Sequence, residues 1–241
     1  PLAVTFDVTG TLLRCPRLGE IYVEVLARHG VSLDAEAVAE TFPVVWRELD
    51  CRLAPGVDRF TAQPQGERGF WRELLGRLCA LLGAPAPSRF AAAELFRRFA
   101  RPEAWSVAPD APSCLERLRA AGLRLGVIAN WDSRLEPLLE GLALRDSFDV
   151  VVRSSGLGVA KPSPRIFTEA AVRLAVPTER ILHVGDSPLE DRDGALAAGM
   201  RALLVGDHRG DDGVPDLSAL AARVAERGRL ATTSGPRESK R

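Results

Sequence analysis

Residues 2–11 read Leu-Ala-Val-Thr-Phe-Asp-Val-Thr-Gly-Thr (LAVTFDVTGT), a buried strand followed by a tight turn. Leu2 to Phe6 is a run of apolar and β-branched residues without polar alternation, the pattern of a strand buried on both faces. The run stops at Asp7 and turns at Gly10, which places a carboxylate at the carboxyl end of a buried strand. In open parallel sheets that is the end where ligands bind. Two things are then asked of the rest of the chain: whether it holds more such strands, and what stands at their ends.

Four further runs answer the first point. Leu123–Ala129, Phe148–Val152, Ile181–Val184 and Ala202–Val205 read as strands. Helical patterns alternate with them: Pro112–Ala121, a face of Leu135, Leu138, Leu139 and Leu142, Ile166–Leu174, Ala195–Ala198, and a last face of Leu217, Leu220, Ala221 and Val224. Continuous apolar strands alternating with helices predict an α/β fold, a doubly wound, Rossmann-like parallel sheet covered on both faces. Between the first two strands the period is helical instead. Tyr22, Val25, Leu26 and His29 share a face, as do Trp71, Leu74, Leu75, Leu78 and Leu82, and Leu95, Phe96 and Phe99 mark another. Residues 54–69, with Pro55, Gly56, Pro64, Gly66 and Gly69, read as a loop. The expected organisation is a core of residues 1–14 and 105–229, a helical insertion over 15–104, and a small, polar, disordered tail over 230–241.

Composition narrows the function classes. Hydrophobic residues are 46% of the 241 and charged residues 27%, as in ordinary globular proteins. Basic and acidic residues number 32 each, so no global field favours nucleic acid or an acidic membrane. No run reaches the ~18 apolar residues of a membrane span, and no signal peptide is visible in the first residues. Cys15, Cys51, Cys79 and Cys114 are scattered without CxxC spacing and read as small apolar residues in a reducing compartment. A soluble cytoplasmic protein is the expectation; the sequence carries no reading of oligomeric state. Among the basic residues only Lys161 and Lys240 are lysine, and Asn130 is the sole asparagine. A Lys or Asn that persists against such a bias is a candidate for a specific role.

Four positions at strand ends carry chemistry. Asp7 is placed for nucleophilic attack or metal binding, with Thr9 and the hydroxyl of Thr11 beside it; a strand-capping turn is the plain alternative. Asp186 follows Ile181–Gly185, and Asp191 lies five residues on, a spacing that lets two carboxylates reach one hard cation such as Mg²⁺. Helix capping would also explain acidic residues there, and Glu190 and Asp193 are expected to be exposed charges of that kind. Lys161, framed by Gly158, Pro162 and Pro164 and expected to open the helix after the third strand, can neutralise a phosphate or a carboxylate. Asn130, directly after a strand, can donate to an anion or form a turn.

Taken in this order, the motifs resemble those of the haloacid dehalogenase superfamily over about residues 1–206. DVTGTLL is similar to its first motif, VIANWD to its second, AKPSPRIF to its third and HVGDSPLEDRDGALAAGM to its fourth. The resemblance is closest to the haloacid-dehalogenase-like hydrolase domain-containing proteins. It implies a helical cap and an aspartyl phosphate formed on Asp7. It further implies Mg²⁺ held by Asp7, the Thr9 carbonyl, Asp186 and Asp191, with Lys161 stabilising the charge on Asp7 and the phosphoryl group. Ala129 and Asn130 fall at its phosphate-binding positions. Two residues depart from the family pattern: Thr9 stands where a second Asp serves as acid and base, and Ala129 where Ser or Thr is usual. Removing a general acid–base group costs about 10²–10⁴ in rate. Three readings follow. The first is a slow Mg²⁺-dependent phosphatase or phosphotransferase of small phosphorylated metabolites. The second is a catalytically weak phospho-ligand or partner-binding protein, and the third a haloacid dehalogenase. Substrate choice would fall to residues of the insertion, with Tyr22, Trp46, Arg47 and Trp71 as candidates.

Overall fold

In the computed structural model, which describes residues 1–208 and 212–224, the first strand lies at the centre of a six-stranded sheet. In chain order the elements are β1 (Ala3–Phe6), β2 (Leu13–Arg14), α1 (Leu18–Arg28), α2 (Ala35–Asp50), α3 (Gly66–Leu81), α4 (Arg89–Arg98), β3 (Ser106–Val107), α5 (Ala111–Ala120), β4 (Arg124–Ala129) and α6 (Leu135–Gly141). They continue with β5 (Val150–Arg153), α7 (Ser154–Leu157), α8 (Pro164–Leu174), β6 (Ile181–Gly185), α9 (Gly194–Ala197), β7 (Arg201–Val205), β8 (Gly213–Val214) and α10 over 217–224. The sheet runs β5-β4-β1-β6-β7-β8 with every pairing parallel. This is the α/β, Rossmann-like architecture that the uninterrupted apolar strands predict. β2 and β3 pair with each other as a short antiparallel ribbon where the chain leaves and re-enters the sheet.

Side chains alternate across the sheet. Val4 and Phe6 of β1 face a cluster with Cys114, Leu115, Leu138, Leu139 and Leu220 of α5, α6 and α10. Ala3 faces the opposite layer, with Phe167, Ala170 and Leu174 of α8 and Ala195 of α9. α1 to α4 form a separate cluster around Ile21, Tyr22, Leu26, Leu74, Leu78 and Leu95, and Trp105 packs against both this cluster and the sheet. Among the described residues no helix is long and apolar enough to cross a membrane.

One local reading is corrected, and some elements were not predicted. The predicted helices do not include α2, although Val38, Phe42, Val45 and Leu49 recur along it at helical spacing; Pro43 sits inside it and interrupts the ladder, while Asp34 caps its start by accepting from the Ala37 N–H at 2.9 Å. Lys161 does not open a helix. The short α7 comes first, and Lys161 lies in the loop before α8, whose cap is Ser163. β8 and the β2–β3 ribbon, each of two-residue strands, are too short to show a period. The four cysteines are free, with Cys79 and Cys114 buried and Cys51 exposed. The tail expected over 230–241 lies outside the described residues.

Candidate active site

Register brings the carboxylates together. Phe6 is level with Val184, and the Asp7 N–H donates to the Val184 carbonyl at 2.8 Å, so the ends of β1 and β6 are side by side. The backbone after each end must pass close to a carboxylate. At Gly10, with φ +95°, a Cβ would strike the Asp186 carboxylate; at Gly185 it would strike that of Asp191. Pro188–Asp193 winds as one wide, π-type turn before α9, which returns Asp191 under the end of β6. Carboxylate oxygens of Asp7, Asp186 and Asp191 thus fall within 4.8 Å of one another.

Lys161 sits between two of them. Its Nζ donates to Asp7 Oδ1 and to Asp191 Oδ1, each at 2.6 Å, and all three residues are buried. Asn130 holds the lysine in place. Its Oδ1 accepts from the Lys161 N–H at 2.7 Å, and its Nδ2 donates to the Lys161 carbonyl at 3.1 Å. The chain's sole asparagine therefore engages the loop of this lysine with both ends of its amide. Behind Asp191 lies His183 of β6, fully buried, with Nε2 3.1 Å from Asp191 Oδ1 and Nδ1 2.9 Å from Thr5 Oγ1. Burial lowers the His183 pKa and favours the neutral ring, in which Nε2–H donates to the carboxylate and Nδ1 accepts from the threonine hydroxyl. The Ser187 N–H donates to the other Asp191 oxygen at 2.9 Å.

The three carboxyls consequently differ in acidity. Burial raises Asp7 to about 7; Lys161 opposes this, and Asp191 and Asp186 add to it. Burial likewise disfavours Asp191⁻, but the Lys161 charge and the His183 hydrogen bond outweigh it and hold this acid well below the usual carboxylate range. Asp186 is raised by burial and by the charge of Asp191. Lys161 is stabilised as a cation: burial works against its charge, and Asp191, Asp7 and Glu190 more than restore it.

The sequence candidates divide around a cavity of about 560 Å³. Asp7, Thr9, Asn130, Asp186 and Asp191 line it, whereas Thr11, Ala129 and Lys161, which lies behind Asp7 and Asp191, do not. Thr11 is buried with no hydrogen-bond partner for its Oγ1 among the described residues, and the Ala129 methyl is packed in the core. Thr9 Oγ1 accepts from Trp131 Nε1 at 2.9 Å. Asp193 is exposed as expected, but Glu190 is not: it lines the cavity, 3.7 Å from Arg59, and burial raises its pKa. Tyr22, Trp46, Arg47 and Trp71 all line the cavity, Tyr22 while also packed among Phe42 and Phe99.

A joint between sheet and insertion was not legible in the sequence. The residues after β4 reach in turn to the site and to α3. Trp131 meets Thr9, Asp132 accepts from Trp71 Nε1 at 2.7 Å, and Ser133 donates to Glu67 through its N–H at 2.8 Å. Arg134 forks onto Asp132 and lies over the rings of Phe96 and Trp71. Arg59, buried with Asp50 at 2.9 Å and over Trp46, was missed as well. His183 opens the HVGDSPLEDRDGALAAGM stretch without a local sign of its role, and Arg59 belongs to no motif. Only their placement in space marks them.

Comparison with known proteins agrees with this architecture. The haloacid dehalogenase-like hydrolase family matches residues 1–199. The haloacid dehalogenase-like hydrolase domain-containing protein 3 of Mus musculus is 35% identical over 206 residues, covering 84% of this chain and 80% of that protein. A phosphoserine phosphatase of Thermus thermophilus is 36% identical over 176 residues, covering 71% of this chain and 66% of that one. Among solved structures, the L-2-haloacid dehalogenase of Xanthobacter autotrophicus has a TM-score of 0.69 at 22% identity, covering 93% of this chain and 98% of that one, a likeness of fold.

Proposed function

The chain belongs to the haloacid dehalogenase-like hydrolases, and from that premise we propose that it hydrolyses small phosphorylated molecules with Mg²⁺, through an aspartyl phosphate on Asp7. The observation that carries the reading is the Lys161 ammonium held 2.6 Å from both Asp7 and Asp191, with Asp186 beside them. A halide-displacing reaction at carbon would ask for one carboxylate nucleophile; three converge here.

The residues suit a hard dication. Three carboxylates against one ammonium leave an excess of negative charge, which adds to burial in raising Asp7 to about 7. Asp7, Asp186 and Asp191, together with the Thr9 carbonyl, would be its oxygen donors. Bound there, Mg²⁺ would supply the charge that keeps Asp7 ionised and neutralises phosphoryl oxygens. Asp7 is the nucleophile toward phosphorus. Lys161 balances the charge that Asp7 and the phosphoryl group share, and Asn130 fixes the height of its loop. His183 and the Ser187 N–H orient Asp191. Phosphoryl transfer needs little more than this positioning and neutralisation.

The Trp131–Thr9 hydrogen bond favours a second reading, a phospho-ligand-binding protein with weak turnover, because no titratable group stands two residues after Asp7. Treatment with acetyl phosphate and Mg²⁺, followed by intact-protein mass measurement, separates the two. A phosphoenzyme in the parent and none in Asp7→Asn is the expected result. Phosphate-analogue binding without a trapped phosphoenzyme would favour the binding protein.

A further inference from the structure

The cavity beside Asp7 has an unusual wall. All four tryptophans of the chain, Trp46, Trp71, Trp105 and Trp131, line it, with the single tyrosine, Tyr22, and Phe60. Tyr22, Trp46 and Trp71 come from α1, α2 and α3, Phe60 from the residues before α3, Trp105 from those before β3 and Trp131 from the position after Asn130, and several of these rings touch. Trp46 and Trp71 have centroids 5.7 Å apart, Trp105 and Trp131 5.0 Å, and Phe60 stacks on Trp71 at 6.3 Å. Arg59 lies over Trp46 and Arg134 over Trp71, and a planar aromatic group would meet the remaining ring surface in offset and edge-on contacts, where the hydroxyls of a small polyhydroxy phosphate would find no partner.

A second observation concerns the leaving group. Thr9 has no titratable proton, and its oxygen accepts from Trp131 at 2.9 Å. Glu190 is turned to Arg59, 3.7 Å away. An alkoxide leaving group needs a proton as its bond to phosphorus breaks; a phenolate, whose conjugate acid has a pKa of about 10, leaves without one.

We propose that the substrate is an aryl phosphate monoester, with its ring among the tryptophans and its phosphoryl group at Asp7. The proposal rests on the aspartyl-phosphate reading. An Asp7 oxygen forms the bond to phosphorus, and the P–O bond to the ring breaks with its electron pair on the phenolate oxygen, which takes a proton from solvent. Water then attacks the aspartyl phosphate, releasing inorganic phosphate and a proton and restoring the carboxylate.

Two measurements test it. Because every tryptophan lines the cavity, quenching of intrinsic fluorescence reports binding directly. Phenylphosphonate should bind at least tenfold more tightly than methylphosphonate, and Trp46→Leu should shrink that ratio. In steady state with Mg²⁺, phenyl phosphate should exceed benzyl phosphate by at least 100-fold in kcat/KM, since both carry a ring and only one leaves as a phenolate. Equal phosphonate affinities, or benzyl phosphate turned over as well as phenyl phosphate, overturn the proposal. If acetyl phosphate labels Asp7 while phenylphosphonate binds no better than methylphosphonate, the aryl substrate falls and the aspartyl-phosphate reading stands. If neither acetyl nor phenyl phosphate labels Asp7, both fall.

Discussion

The strand-end side of the cavity and its helical side are held together by different forces. On the strand-end side, with the partly exposed Asp186 beside them, three buried ionisable groups crowd together: Asp7, Lys161 and Asp191. Each is stable only through the others, since a buried charge without its partner is costly. On the helical side, Tyr22, Trp46, Trp71 and their neighbours meet through ring contacts that are individually weak and not tied to a single geometry. Single substitutions should therefore be all-or-none on the first side and graded on the second. The joint over residues 131–134 ties the two sides and should show intermediate behaviour.

The largest effect is expected at Asp7. Asp7→Asn should lower turnover by about 10³-fold or more, read as phosphate release. Its stability should move the other way. The Asp7 pKa is 3.8 ordinarily and about 7 in the fold, so the folded state holds this proton more tightly. The parent, in EDTA, should then lose stability relative to Asp7→Asn as pH rises from about 4 to about 7, with no further divergence above that. Thermal denaturation over that range checks the sign; a parent that gains on the variant would contradict the crowded-carboxylate account.

Lys161→Met should abolish activity and also destabilise. It leaves Asp7 and Asp191 facing one another without a counter-ion, at a cost of about 3–5 kcal/mol measured by urea denaturation with EDTA present. Saturating Mg²⁺ should recover part of this loss. If the variant is as stable as the parent, the ammonium is not what holds the two carboxylates together.

A smaller change separates ligand from bystander. By calorimetry, Asp186→Asn should weaken Mg²⁺ binding at least tenfold, while Asp193→Asn, an exposed partner of Arg192, should leave it as it was. Equal effects would dissolve that distinction.

Thr9→Asp probes the boundary between the two sides. A carboxylate there could still accept from Trp131 and would restore a proton-transfer group, so turnover of benzyl phosphate should rise by up to about 10²-fold. Ala129→Ser should add only a few-fold in the same background, because its side chain lies in the core rather than on the cavity. Steady-state phosphate release from the single and double variants gives the order; Ala129→Ser outperforming Thr9→Asp would invert it.

Much of the strand-end side was readable in the sequence because its parts are local. A buried strand read as an apolar run, and the polar residue ending it, Asp7, Asn130 or Asp186, could be named from its position alone. The rarity of lysine and asparagine pointed to Lys161 and Asn130, but not to their hydrogen bonds with each other across 31 residues. His183 lay hidden inside a strand, where its neighbours Thr5 and Asp191 are 178 and 8 residues distant. Helix α2 was legible as a stripe of Val38, Phe42, Val45 and Leu49 at helical spacing, and it persists through Pro43 because packing and an Asp34 cap outweigh one lost backbone donor.

What the amino-acid sequence determined alone was the alternation of buried strands and helices, and the chemical groups standing at the strand ends. Those follow from near-neighbour physics: side-chain period, turn geometry and the cost of burying a charge. Tertiary structure alone decided which aromatic residues line the cavity rather than only fill the helical core, that Glu190 turns inward to Arg59, and that Trp131 occupies the Thr9 hydroxyl. These contacts join residues with no spacing in common, and they exist only once the helices of the insertion have been packed against the carboxyl end of the sheet.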